Sequence, residues 1–168
     1  MASRAPVRSD VEIHLLRHAH AGDSEAWDGP DEARPLTPKG RVQSERMGTF
    51  LRAIGFQPDV VLSSPKVRAL QTAEIVAAEL GLKVTVDDRL AEGFGPADLS
   101  ALLAERPVRR PLLVGHDPDF TSLVTLLCGT ACVEMKKGAL ARVDVRLPLQ
   151  PGGGMLRWLV PPELLRGS

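Results

Sequence analysis

Short apolar runs alternate with amphipathic segments along the chain. Six runs are rich in branched apolar side chains, the pattern of buried strands: residues 11–17, 59–64, 83–87, 111–116, 139–145 and 155–160. Segments with apolar residues at helical spacing lie among them, at residues 37–55, 66–80, 98–105 and 119–127. Strands that alternate with helices predict an α/β fold, a three-layer sandwich whose mostly parallel central sheet has helices on both faces.

The first predicted helix has recognisable ends. Thr37 can cap its first amides, Pro38 fits the first turn, and Gly55 fits a left-handed stop. Apolar residues spaced i, i+3, i+4 and i+7 predict one buried face, formed by Met47, Phe50, Leu51 and Ile54.

A long polar stretch that contains Gly and Pro, residues 18–36, separates the first strand from this helix. Loops longer than about 12–15 residues are usually functional or disordered. Because this loop directly follows a strand, it is a candidate for a functional segment.

Length and composition narrow the class of protein. The 168 residues fit one domain, predicted at residues 11–165 after a flexible leader at residues 1–10. The 43% hydrophobic and 25% charged residues are typical of a globular chain rather than a disordered one. Lys plus Arg (21) equals Asp plus Glu (21), so no net charge draws the chain to nucleic acid or to a membrane, and we expect neither partner.

The location of the protein is also suggested by composition. No apolar run reaches the ~18 residues of a membrane span, and the first ten residues lack the apolar core of a secretory signal. The two cysteines, Cys128 and Cys132, are too few for a disulfide framework. These features predict a cytoplasmic protein.

Four residues near predicted strand ends are candidates for phosphate chemistry. His18 and His116 each follow a strand, Arg17 precedes His18, and Arg68 lies near the start of the helix after LSSP. Ligands of such sheets bind outside the carboxyl ends of the strands. Guanidinium groups bind phosphate oxygens in bidentate fashion, and a neutral imidazole can form a covalent intermediate with phosphorus.

Three sequence blocks resemble the histidine phosphatase superfamily, also called the phosphoglycerate mutase-like fold. LLRHAHAG resembles its opening R-H-G/A signature, LSSPKVRALQTAEIV its second block, and VGHDPDF the block with the second histidine. The R-H-A form, RPLTPKG, KKGALARVDV and LRWLVPPELL are similar to the SixA branch of phosphohistidine phosphatases. The resemblance covers residues 11–165, nearly the whole chain, and implies a phosphoglycerate mutase-like fold.

The resemblance implies a metal-independent phosphatase that works through a phosphohistidine enzyme intermediate and needs no cofactor. His18 would be the phosphorylated nucleophile, and Arg17, Arg68 and His116 would bind the phosphoryl oxygens. Glu92, in the loop after the third strand, corresponds to the superfamily's proton donor. The implied protein is a monomeric hydrolase, and its implied substrate is phosphohistidine on a protein.

Other interpretations stay open at the level of sequence. The substrate of a phosphatase could be a small phosphomonoester instead. HAHAGD also offers His18, His20 and Asp23 as ligands of a metal-dependent hydrolase. A third alternative is a phosphate-binding domain without catalysis. The sequence assigns no role to Asp117 or His20, and the arginine cluster at residues 106–110 is expected to be a solvated corner.

Overall fold

The computed structural model describes residues 10–166 of the chain. The strands are β1 (Asp10–Arg17), β2 (Val60–Ser63), β3 (Thr85–Val86), β4 (Pro111–Gly115), β5 (Leu140–Arg146) and β6 (Met155–Val160). The helices are α1 (Pro38–Ala53), α2 (Val67–Leu80), α3 (Pro96–Glu105) and α4 (Asp119–Cys128), with short 3-10 turns at Asp31–Ala33, Asp88–Leu90 and Pro162–Leu164. The predicted leader lies outside the described residues except for Asp10, which begins β1.

One six-stranded sheet organises the described residues, in the order β3-β2-β4-β1-β5-β6. The pairs β1–β4, β2–β4 and β2–β3 are parallel, whereas β5 and β6 are antiparallel to their neighbours. The predicted mostly parallel α/β sheet is therefore confirmed. The predicted strand at 83–87 is reduced to the two exposed residues of β3 at the edge of the sheet.

Each face of the sheet carries its own hydrophobic core, which makes three layers. On one face, side chains of α3 and α4 pack against Ile13 and Leu15 of β1. On the other face, side chains of α1 and α2 pack against Leu16 and against Val61 of β2. Because successive strand residues point to opposite faces, a strand covered on both sides is apolar at nearly every position.

His14 takes the one β1 position where a histidine interrupts this apolar run. Its ring is buried, with its centroid 4.3 Å from that of Phe56 and 5.6 Å from that of Trp158. Nδ1–H donates to the carbonyl of Glu12 at 3.2 Å, and burial lowers the pKa of the ring to about 4. His14 is therefore a neutral packing residue.

Helix α1 has the predicted ends and most of the predicted face. Thr37 Oγ1 accepts a hydrogen bond from the Gly40 amide at 3.2 Å, and Gly55 has φ +72°. Met47 and Leu51 are buried, but Ile54 is 53% exposed. The prediction that Ile54 belongs to the buried face is wrong because the helix ends at Ala53 and the chain turns away there. Within residues 10–166, none of the helices has the length and hydropathy of a membrane span.

Candidate active site

The fold brings His18 and His116 together because β1 and β4 are adjacent parallel strands. Arg17, the last residue of β1, pairs with Gly115, the last residue of β4. The His18 amide continues this ladder and donates to the Gly115 carbonyl at 2.9 Å. The two imidazole centroids lie 5.2 Å apart at the carboxyl edge of the sheet.

The His18 ring is held in one tautomer. Its Nδ1–H donates to the carbonyl of Ala19 at 2.8 Å, because a carbonyl oxygen can only accept. The lone pair therefore lies on Nε2. Burial lowers the pKa of His18 to about 3, and the charges of Arg68 and Arg17 act in the same direction. The ring is thus an uncharged base at neutral pH, the form that a nucleophile requires.

His116 is held through its other nitrogen. Nε2 lies 2.7 Å from the hydroxyl oxygen of Ser64, while the buried Nδ1 has no hydrogen-bond partner within residues 10–166. When the Ser64 hydroxyl donates to Nε2, Nδ1 carries the proton and is free to donate it. Burial, followed by the charges of Arg68 and Lys66, lowers the pKa of His116 to about 3.

Arg17 is fixed by the backbone of a distant segment. One terminal nitrogen donates to the Met135 carbonyl at 2.7 Å and lies 3.6 Å from a carboxylate oxygen of Asp117. Its buried Nε has no partner among the described residues. The guanidinium is therefore oriented on one side and unsatisfied on the other.

Arg68 is fixed in the same manner by the long loop after β1. Its two terminal nitrogens donate to Asp31, one to the backbone carbonyl at 2.8 Å and one to the carboxylate at 2.9 Å. The Arg68 side chain is buried, and its Nε also lacks a partner in the described part of the chain. Arg34, likewise buried, holds Asp31 from the other side with a 3.1 Å bond and secures the loop through the Ala21 carbonyl at 2.7 Å.

Lys137 adds a further cation to this edge of the sheet. Burial lowers the pKa of its ammonium group, and the charges of Arg17, Arg34 and Arg68 lower it further. The backbone beside Lys137 is next to His18, because the amide of Gly138 donates to the His18 carbonyl at 2.9 Å. A site with four cations and two neutral imidazoles is suited to a multiply charged anion.

Asp117 and Glu92, the acidic residues of the neighbouring loops, differ in their placement. The Asp117 carboxylate accepts from the Thr121 amide at 3.0 Å and from its hydroxyl at 2.7 Å, so it caps the start of α4 as well as facing Arg17. Glu92 is exposed in the loop after the short turn Asp88–Leu90, and no described residue forms an ion pair or side-chain hydrogen bond with it. Its role as proton donor stays a prediction.

The first turn of α1 supports the loop that carries the site. His20 Nδ1 lies 2.7 Å from Thr37 Oγ1, and the His20 amide donates to Gln43 Oε1 at 2.9 Å. A Cβ atom on Gly40 would overlap the carbonyl oxygen of His20. The absence of a side chain at Gly40 thus lets the helix approach the backbone of the catalytic loop.

The alternative metal set is not assembled. His18 and His20 use Nδ1 for the contacts described above, and the Asp23 carboxylate accepts from the Glu25 amide at 3.0 Å. In the region from residue 10 to residue 166, no three His, Cys, Asp or Glu side chains are grouped as metal ligands.

Sequence analysis identifies the two histidines and two of the cations but misses three residues. Asp31, Arg34 and Lys137 lie in irregular segments, where no periodicity indicates which side chains are buried. The available signals are the three charged residues of DEARPL, within a loop already marked as a candidate by its length, and the KKGALARVDV segment, which contains Lys137 and resembles the SixA branch.

Comparison with known proteins agrees with this geometry. The family model of the histidine phosphatase superfamily (branch 1) matches residues 13–116, a range that contains Arg17, His18, Arg68 and His116. The chain is 31% identical over 160 residues to phosphohistidine phosphatase SixA of Escherichia coli, covering 90% of this chain and 94% of the relative. An uncharacterised protein of Picosynechococcus sp. is 38% identical over 117 residues, covering 65% of this chain and 68% of that protein.

The fold agrees as well. A solved structure of the protein histidine phosphatase SixA complexed with tungstate superimposes with a TM-score of 0.77 at 29% identity, covering 93% of this chain and all of that one. The resemblance inferred from the three sequence blocks is confirmed. The chain belongs to the histidine phosphatase superfamily, branch 1, and is a phosphatase.

Proposed function

We propose that this phosphatase removes the phosphoryl group from phosphohistidine on a protein, without a metal ion, through a phosphorylated His18. The observation that carries the proposal is a set of three buried nitrogen atoms around His18 that have no hydrogen-bond partner among residues 10–166: Arg17 Nε, Arg68 Nε and His116 Nδ1. A buried donor without a partner costs about 1–3 kcal/mol. A tetrahedral oxyanion beside His18 would satisfy all three donors at once.

The names of the relatives support the same choice of ligand. The E. coli relative is a phosphohistidine phosphatase, and the superimposed SixA structure holds tungstate, a tetrahedral oxyanion like phosphate. Four cations can neutralise a phosphoryl group, so positioning and charge neutralisation need no metal ion.

The reaction would take place in two displacements at phosphorus. In the first, the Nε2 lone pair of His18 forms a bond to phosphorus while the P–N bond of the substrate breaks, and its electron pair passes to the departing imidazole. Glu92 is the proposed proton donor for leaving groups that need a proton to depart, whereas an imidazole whose ring is already protonated leaves neutral with less help. In the second, a water oxygen bonds to phosphorus, the bond to His18 breaks with its electron pair returning to Nε2, and the proton of the water passes to solvent as phosphate is released.

Trapping the phosphorylated enzyme tests this proposal. After brief incubation with a radiolabelled phosphohistidine protein and denaturation in alkali, we expect acid-labile label on His18. His18→Ala should carry no label and lose more than ~10³-fold in turnover. The His14→Gln control should keep its label, because His14 packs against Phe56 and Trp158 and not in the site.

The outcome that contradicts the proposal is a phosphoenzyme that persists in His18→Ala. A chelator should leave turnover unchanged, and inhibition by the chelator would refute metal independence. Comparison of kcat/KM for phosphohistidine protein, p-nitrophenyl phosphate and sugar phosphates tests the substrate class. A higher value for a sugar phosphate would favour the small-molecule alternative.

The proposal includes a monomer that acts in the cytoplasm. The cytoplasmic location is supported by the small number of cysteines, both of them free. Light scattering after size exclusion checks the monomer.

A further inference from the structure

A second hollow lies beside the active site, between α1 and the turn that follows β6. It encloses about 470 Å³. We call it the α1 groove and define it by Pro38, Lys39, Val42, Arg46, Pro162 and Arg166. None of these residues has a role in the proposed displacement at phosphorus.

The groove shares a wall with the active site. Gln43 lines the groove, and its Oε1 accepts from the amide of His20, two residues after His18. Gly138, whose amide donates to the His18 carbonyl at 2.9 Å, borders two residues of the groove: a Cβ atom on Gly138 would lie 3.4 Å from the ring of Pro162 and 3.6 Å from Gln43 Oε1. A chain that enters the active site along this wall would therefore pass into the groove.

The charge of the groove is positive. Lys39, Arg46 and Arg166 line it together with one acid, Glu163, which is paired with Lys136 at 2.9 Å. Across residues 10–166, none of the three cations forms an ion pair, whereas most other arginines do.

The positive charge continues from the groove into the active site. Lys39 lies in the first turn of α1, whose N-cap residue Thr37 has its Oγ1 2.7 Å from His20 Nδ1. Burial lowers the pKa of His20, and the charges of Lys39 and Lys137 act in the same direction. Lys137 directly precedes Gly138, whose amide donates to the His18 carbonyl at 2.9 Å. Cations therefore lie both at the phosphate site and in the groove beside it.

A larger hollow on the opposite edge of the sheet has a different character. It encloses about 880 Å³ and is lined by four acids and four arginines, Arg109 and Arg110 of the predicted solvated corner among them. Arg110 pairs with Glu12 at 3.1 Å, and Asp59 accepts from the amides of both arginines. Acids and arginines are therefore equal in number around this hollow, whereas the α1 groove has three cations and one acid.

We propose that the α1 groove binds an acidic segment of the protein substrate next to the phosphohistidine. Carboxylates of that segment would meet Lys39, Arg46 and Arg166, and an apolar side chain would cover Val42, which is 41% exposed. Such a surface raises the rate of encounter with an acidic partner and adds affinity that a phosphoryl group alone does not provide. The inference rests on the proposed function, which supplies the phosphohistidine.

Two phosphohistidine peptides of equal length test the groove, one flanked by Asp and Glu and one by Ser and Gln. At low salt we expect kcat/KM to be at least about 10-fold higher for the acidic peptide, mainly through KM, and the preference to fall as salt rises. The variant Lys39→Glu/Arg46→Glu should abolish the preference while keeping kcat/KM for p-nitrophenyl phosphate within about two-fold.

The matched control is Lys83→Glu/Arg109→Glu, which changes the net charge equally at exposed residues outside the groove. It should keep the preference. Equal kcat/KM for the two peptides in the native protein, or equal loss in both double variants, would overturn the inference.

Binding without turnover separates this inference from the proposed function. An unphosphorylated, fluorescently labelled acidic peptide should bind His18→Ala, with anisotropy falling on addition of salt and lost in Lys39→Glu/Arg46→Glu. Such binding together with no phosphohistidine hydrolysis would refute the proposed function and retain an acidic-segment groove. Hydrolysis together with no binding would refute the groove alone.

Discussion

At the scale of single residues, the site surrounds a neutral imidazole with positive charge. Burial and nearby cations lower the pKa of His18 to about 3, and of His116 to about 3, from the usual 6.5. We expect both rings to stay uncharged from pH 8 to pH 5, with Nδ1 of His18 protonated. Imidazole ¹⁵N shifts of the free protein, in phosphate-free buffer, check this, and a His18 titration midpoint near pH 6.5 would contradict it.

The two site arginines, Arg17 and Arg68, depend on the several nitrogen donors of the planar guanidinium group, which the ammonium group of lysine cannot replace. Arg68 donates to Asp31 through both terminal nitrogens and has Nε left for the anion. A lysine can place its three donors at one point only. We expect Arg17→Lys and Arg68→Lys each to lower kcat/KM by about 10²-fold or more.

Arg52→Lys is the control for these two variants, because Arg52 pairs with Glu79 on the exposed surface at 2.8 Å. It should leave kcat/KM unchanged. Vanadate should inhibit the native enzyme and lose potency in both site variants. Native kinetics in both site variants would show that the arginines do not contact the phosphoryl group.

Glu92 is tested by the chemistry of the leaving group. An alkoxide needs a proton to depart, and a general acid is worth about 10²–10⁴-fold there, whereas a protonated imidazole or p-nitrophenolate departs with less help. Glu92→Gln should therefore slow alkyl phosphates strongly and spare phosphohistidine and p-nitrophenyl phosphate. Glu74→Gln, an exposed acid on α2, is the control. Equal small effects on all three substrates would remove Glu92 from the mechanism.

At the scale of elements, activity depends on how closely α1 approaches the catalytic loop. A methyl group at Gly40 would overlap the His20 carbonyl, which is backbone and cannot rotate away. Alanine normally stabilises a helix relative to glycine by about 1 kcal/mol. We expect Gly40→Ala instead to destabilise the fold by about 1–3 kcal/mol and to lower kcat/KM by about 10²-fold by displacing the loop.

Gly48→Ala is the matched control in the same helix. A Cβ atom there would lie 2.8 Å from Glu79 side-chain carbons of α2, away from the catalytic loop. Chemical unfolding should show a loss of stability in both variants, and kinetics of the folded proteins a loss of activity in Gly40→Ala alone. A Gly40→Ala enzyme with native kcat/KM would mean that the loop tolerates displacement.

The elements also show which parts of the fold are predictable. The β1 segment is correctly predicted because its apolar residues, such as Ile13 and Leu15, follow the period of a strand. The α4 segment is correctly predicted because its apolar residues, which begin with Phe120, follow the period of a helix. His18 and His116 are predictable because each directly follows a strand. Asp31 is not predictable as the partner of Arg68, because the contact spans 37 residues through an irregular loop. Loop contacts depend on the finished fold and leave no periodic signal.

At the scale of the whole molecule, three buried histidines make stability sensitive to acid. Burial lowers the pKa values of His14 to about 4 and of His18 and His116 to about 3, from 6.5 in the unfolded chain. As pH falls, the unfolded chain therefore binds protons at these histidines before the folded protein does. The stabilising contribution of the three histidines is complete above pH 6.5 and is lost towards pH 3–4. Each histidine contributes a slope of about 1 kcal/mol per pH unit within this window.

We expect the free energy of unfolding to fall by about 3 kcal/mol or more between pH 6.5 and pH 5, a large share of the about 5–15 kcal/mol typical of a domain. Urea unfolding at several pH values checks this in phosphate-free buffer, since an anion bound to the folded site would raise the two site pKa values. His14→Gln should reduce the slope by about a third, because glutamine does not titrate and its amide can still donate to the Glu12 carbonyl. A free energy of unfolding that is constant or rises from pH 7 to pH 5 would mean that the three rings are charged in the folded protein.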